Sequence, residues 1–158
     1  MRTISSLESA NIAVRYYGEC PDTHTQIIET VARLPEEVRD FVSGQCRFIS
    51  AGRSIYGMVL PGSIGVDDVS QAPENIWIVL LRDPLPKRDA HGIIAHEIAH
   101  AFLKHDRLSP DGYPGDSEQQ VAGLAKQWGF TGKGADAVYC SRRARIFRTS
   151  AAGKPKGE

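Results

Sequence analysis

The stretch "GIIAHEIAHAFLKHD", Gly92 to Asp106, decides how this chain is read. Most of its positions are apolar, yet it carries His96, Glu97 and His100 in HExxH spacing. On an α-helix turning about 100° per residue, positions four apart lie about 40° apart, so both imidazoles can reach one ion from the same face. Glu97 is rotated by one further residue and flanks such an ion instead of binding it. A carboxylate there can take a proton from a water that zinc acidifies to a pKa of about 7. Ile93, Ile94, Ile98, Ala99, Phe102 and Leu103 would give the site a dry wall, which strengthens the field of any ion inside it. On so apolar a helix, two uncompensated histidines would be costly.

A catalytic zinc takes three protein ligands and keeps one open position. Three downstream residues compete for the third place. His105 lies about 140° beyond His100 on a continuing helix and would point elsewhere. Asp106 stands at the spacing where metzincin-like sites carry their third ligand, but Leu103 occupies the place of the glycine that breaks the helix in those sites. Glu118 opens the next helix, "SEQQVAGLAKQWGF", with Ala122 and Ala125 on its own face. Small residues there let two helices approach closely enough to share an ion, so Glu118 is favoured and Asp106 stays open.

Outward from the motif, "NIWIVLLRD" (Asn75–Asp83) reads as the clearest strand, and "PLPKRD" breaks the chain before Asp89, placed to cap the motif helix. That strand is expected to offer an edge on which an extended peptide could add as a further strand. Upstream, "HTQIIETVARLPEEVRDFVSG" reads as two helices. Pro35 falls in the first turn of the second, Gly44 at its end, and Val38, Phe41 and Val42 on its buried stripe. "CRFISAG" and "IYGMVLPG" are short strands, and "SIGVDDVSQAPE" is a loop. Downstream, "SPDGYPGD" is a loop, Asp116 or Ser117 can cap the last helix, and Gly129 stops it. The layout (helix, helix, small sheet, motif helix, loop, helix) is α+β and not the strand–helix alternation of a parallel sheet.

The whole chain is 158 residues, enough for one core, and is expected to form a single domain over residues 1–149 with a flexible tail over 150–158. Formal net charge is zero, so no global field draws it to nucleic acid or an anionic membrane. Arg142 to Arg148 hold four arginines, read as a solvated or internally paired segment. No run is long and apolar enough to span a bilayer, and "MRTISSLESANIAVRYYGE" lacks the apolar stretch of a secretory signal. Cys20, Cys46 and Cys140 are few, odd in number and far apart, which argues for a reducing compartment, the cytoplasm. Cys46 reads as a structural cysteine at a strand start, Cys20 and His24 as loop residues, and His91 as exposed.

"AHEIAHAFLKHD" followed by "SEQQVAGLAKQWGF" resembles the minimal gluzincin-type metallopeptidases, including the ImmA/IrrE-like group. The likeness covers Asn75 to Phe130. It implies an α+β fold, a small zincin-like domain with a short mixed sheet, the HExxH helix and a following helix that carries the third ligand. It further implies His96, His100 and Glu118 as zinc ligands, Glu97 as general base, and hydrolysis of peptide bonds in a protein or peptide substrate. An acidic residue that such proteins commonly place four beyond the ligand glutamate is Ala122 here. A partner orienting the histidines must then come from Asp116, Asp136 or elsewhere. The alternative is a catalytically weak or inactive metal-binding domain with a regulatory or partner-binding role. Tyr113 and His105 are candidate donors to the oxyanion.

Overall fold

The computed structural model describes residues 13–52, 57–64, 74–105 and 116–135. Asp106, Tyr113, Asp136, Cys140, the arginine run and the tail lie outside them. Among the described residues the chain runs β1 (Tyr16–Tyr17), α1 (Pro21–Ala32), α2 (Glu36–Gln45), β2 (Cys46–Ser50), β3 (Gly57–Ile64), β4 (Glu74–Leu81), α3 (Ala90–Phe102) and α4 (Ser117–Gln127), then a short 3-10 turn at Lys133–Ala135. It is a mixed α+β architecture with four α-helices and one small sheet.

The sheet order is β1-β2-β4-β3. β2 runs parallel to both β1 and β4, while β3 pairs antiparallel with β4. β4 is therefore an interior strand, and the expectation that it presents a free edge is corrected: the edge beside it belongs to β3. The reason is visible in its composition. A near-continuous apolar run suits a strand with a neighbour on each side, not a sheet margin. Val79 and Leu81 of β4 are fully buried, as are Phe48 of β2 and Val59 of β3.

These side chains pack with Ile27 and Val31 of α1 and Val38 and Val42 of α2. Phe41 is half-buried and meets Phe102 edge-on, with ring centres 5.4 Å apart. Pro35 sits at the N-cap of α2, and Gly44 lies inside that helix, one residue before its end at Gln45. α3 runs through the middle: every residue from Ile93 to Ala101 is buried, the behaviour of a helix apolar all round. It touches β3, β4 and every other helix. Leu103 falls outside this wall, 37% exposed at the helix cap.

β1 is too short to leave a periodic signal. It is held by the Phe48 N–H donating to the Arg15 carbonyl and by Asp83, which accepts hydrogen bonds from the Tyr16 hydroxyl at 2.8 Å and the Thr23 hydroxyl at 2.9 Å. His24 belongs to α1, stacked on Tyr16, and Cys20 is its N-cap. His91 is half-buried, with Nδ1 2.9 Å from the Thr30 hydroxyl. Both differ from the sequence reading because α1 starts three residues earlier and packs along α3. Cys46 is buried, and burial pushes its thiol up to about 12, as befits a structural cysteine.

Candidate metal centre

His96, Glu97 and His100 arrive on α3 because that helix is continuous through them, and Glu118 arrives on the first turn of α4. α4 lies against α3 through buried Val121 and Ala125, with Ala122 half-buried between them. Asp89 and Asp116 occupy the two N-cap positions, but neither side chain caps its helix. The Asp116 carboxylate instead accepts from the Gln120 side chain at 2.8 Å, so it faces solvent and does not orient a histidine.

Two ring nitrogens and a carboxylate converge. His96 Nε2 lies 3.2 Å from His100 Nε2 and 3.1 Å from Glu118 Oε2, and His100 Nε2 lies 3.6 Å from Glu118 Oε1. Both histidines are buried, and Glu118 is partly so. Among the described residues these three form the cluster able to hold a metal ion. Bonds of about 2.0–2.1 Å to a tetrahedral zinc put neighbouring ligand atoms about 3.3 Å apart; the two imidazole nitrogens stand at 3.2 Å, and the carboxylate turns one oxygen toward each of them.

Protons serve this arrangement poorly. Each imidazole nitrogen offers one in-plane position, filled by either a hydrogen or a lone pair. A proton on His96 Nε2 can point to Glu118 or split toward His100, but then His96 Nε2 has nothing with which to accept. One cation at the centre satisfies all three edges together. Burial pushes the Glu118 carboxyl up, yet hydrogen bonding and charge from His100 and His96 outweigh it, leaving its pKa well below the ordinary carboxylate range.

Glu97, also buried, stands outside the three-ligand group, against β3. A Cβ added at Gly57, the first residue of β3, would overlap the Glu97 carboxyl. Glycine is what lets this strand pass so close. The sequence reading missed Gly57, and only the register of the edge strand over the helix reveals it.

It also misplaced His105. α3 does not continue past Phe102: Lys104 takes a left-handed conformation with φ 58°, and the chain folds back. The His105 N–H donates to the His100 carbonyl at 2.9 Å, and His105 Nδ1 comes within 3.2 Å of His100 Nδ1. Burial and the neighbouring His100 lower the His105 pKa, against an opposing pull from Glu118 and Asp116.

No family model matches this chain, and no curated protein or solved structure matches it either.

Proposed function

We propose that this chain is a small zinc-dependent metallopeptidase of gluzincin type, with His96, His100 and Glu118 as ligands and Glu97 as general base. The observation that carries this reading is the convergence of two buried imidazoles and a carboxylate, close enough to share one ion. Two nitrogens and an oxygen are a donor set that zinc accepts while keeping a place open. A bound zinc would supply Lewis-acid polarisation of a scissile carbonyl and acidify the attacking water. Glu97 would accept that water's proton and return it to the departing amine. The buried apolar flank of α3 would keep bulk water from competing.

The sheet supports a peptide as substrate. Among the described residues β3 is an edge strand, and its first residue lies against Glu97. An extended peptide adding along β3 would have its backbone fixed by main-chain hydrogen bonds within reach of the base. A folded protein would have to offer an unfolded segment or a loop. Among the described residues no helix is long and apolar enough to cross a membrane.

The test is hydrolysis of casein or a peptide library by zinc-loaded protein. Cleavage should vanish with chelator and fall about 10²–10⁴-fold in Glu97→Gln, the usual worth of a general base, while zinc stays bound. Ala122 supports the second reading, a metal-binding domain with little catalysis, because the acidic partner commonly found there is missing. That reading wins if zinc raises the melting temperature, nothing is cleaved and Glu97→Gln changes no rate.

A further inference from the structure

We infer that His105 is a positioning residue: its Nδ1 accepts the proton of His100 Nδ1 and so fixes the ring that must turn its Nε2 toward the metal. This rests on the metal reading above.

The end of α3 makes the placement. The Lys104 N–H donates to the Ala101 carbonyl at 3.0 Å and the His105 N–H to the His100 carbonyl at 2.9 Å, the paired bonds of a Schellman ending with Lys104 as its left-handed residue. The second bond ties the His105 backbone to the very residue whose ring it meets. The two rings then lie edge to face, with centres 5.4 Å apart and an interplanar angle of 62°. On a straight helix the same side chain would be turned well away from His100.

Proton placement fixes the direction of the bond. His100 Nε2 faces His96 and Glu118, so as a ligand it must present a lone pair there. The ring's single proton then sits on Nδ1, 3.2 Å from His105 Nδ1. His105 must accept, which leaves its own proton on Nε2. Ligating histidines generally hand their second N–H to an outer acceptor, which fixes the ring and raises its basicity. With alanine at 122 and Asp116 turned toward Gln120, His105 fills that role for His100.

The experiment measures zinc affinity of the full chain by competition with a chromogenic chelator, for wild type, His105→Ala and His105→Asn. The alanine variant should bind about 10–100-fold more weakly, the usual cost of an outer-shell acceptor. Asparagine carries an oxygen where histidine carries Nδ1, so His105→Asn should recover most of the loss. Nitrogen-15 spectra of the wild-type imidazoles should show His105 protonated on Nε2 alone, a signature that a merely packed ring would not need. Alanine and wild-type proteins binding zinc within threefold of each other, or a His105 proton on Nδ1, overturns the inference. If His105→Ala does not fold, His105→Asn and the wild-type spectrum decide. A wild-type chain that takes up no zinc overturns the metal centre and this inference together; failure of His105→Ala alone to weaken binding overturns only this one.

Discussion

Two carboxylates in this molecule are gathered by polar neighbours, and they are gathered in opposite ways. Asp83, beside the sheet, receives two hydroxyl donors, from Tyr16 and Thr23. Burial pushes its pKa up, but hydrogen bonds from Tyr16, Thr23, Cys20 and Ser50 outweigh it and the net shift is downward. Donors point at an acceptor, and the node is complete without anything added. Glu118 faces two imidazole nitrogens that also face each other, and since each nitrogen has one position for a proton or a lone pair, protons cannot serve all three contacts at once. Both carboxyls are held below their ordinary range, yet only the second leaves a place that a cation would fill. A lowered pKa therefore identifies no metal site by itself; an excess of contacts over the protons able to serve them does.

The largest expected effect separates the two nodes directly. Glu118→Ala should cut zinc affinity by more than the ~10–100-fold that an outer partner is worth, and should also cost the metal-free fold some stability, since hydrogen bonding and charge from His100 and His96 hold that carboxyl low. Asp83→Ala should leave zinc uptake unchanged and cost about 1–3 kcal/mol of stability, since the buried Thr23 and half-buried Tyr16 hydroxyls lose their acceptor. Chelator titrations paired with urea unfolding of metal-free protein measure both. If Asp83→Ala weakens zinc binding as Glu118→Ala does, the contrast between the nodes is lost.

A smaller effect sharpens the contrast through pH. Asp83 has a folded pKa below its unfolded value of 3.8, so its stabilising share is present above that value and disappears as pH falls through the folded pKa. Tyr16→Phe removes one donor and brings the folded pKa back up. The variant should unfold in acid at a higher pH than wild type. Burial, aided by Asp83, pushes the Tyr16 hydroxyl up to about 12, so wild type should also lose this contact's share as pH rises from 10 toward 12. The phenylalanine variant, having no such group, should lack that alkaline step. Circular dichroism across both pH ranges reads the two arms, and superimposable acid curves for the two proteins would contradict the node.

Much of this arrangement was legible before any coordinates. The spacing of His96 and His100 on an apolar helix puts both rings on one face, and alanines beside Glu118 point to close helix contact. Local signals of that kind survive folding because a helix face is set by a handful of neighbouring residues. What was illegible depended on residues distant in sequence or on strained backbone. β1 is two residues long and exists because β2 and Asp83 hold it. The approach of Gly57 to Glu97 needs the sheet order, in which β3 and not β4 takes the margin. The turn at Lys104 carries no glycine to announce it, so a continuing helix was the natural reading and His105 was sent to the wrong side.

The smallest expected effect concerns that turn. α3 and α4 end alike: in α4 the Gly129 N–H donates to the Lys126 carbonyl and the Phe130 N–H to the Ala125 carbonyl, with Gly129 left-handed at φ 86°. Lysine does in α3 what glycine does in α4, at the cost of crowding between its Cβ and the backbone. Lys104→Gly should therefore relieve strain in the folded state, partly offset by the entropy glycine gains when unfolded, for a net gain of at most about 1 kcal/mol. Gly129→Ala should lose about 1 kcal/mol or more, because alanine is strained at positive φ. Opposite signs in paired urea melts would establish that both helices end on the same motif. The glycine variant should also hold zinc as tightly as wild type, since His105 is delivered by the motif's hydrogen bonds and not by the lysine side chain. Weaker zinc binding in Lys104→Gly, with the fold intact, would mean that the restricted lysine backbone is itself needed to hold His105 against His100.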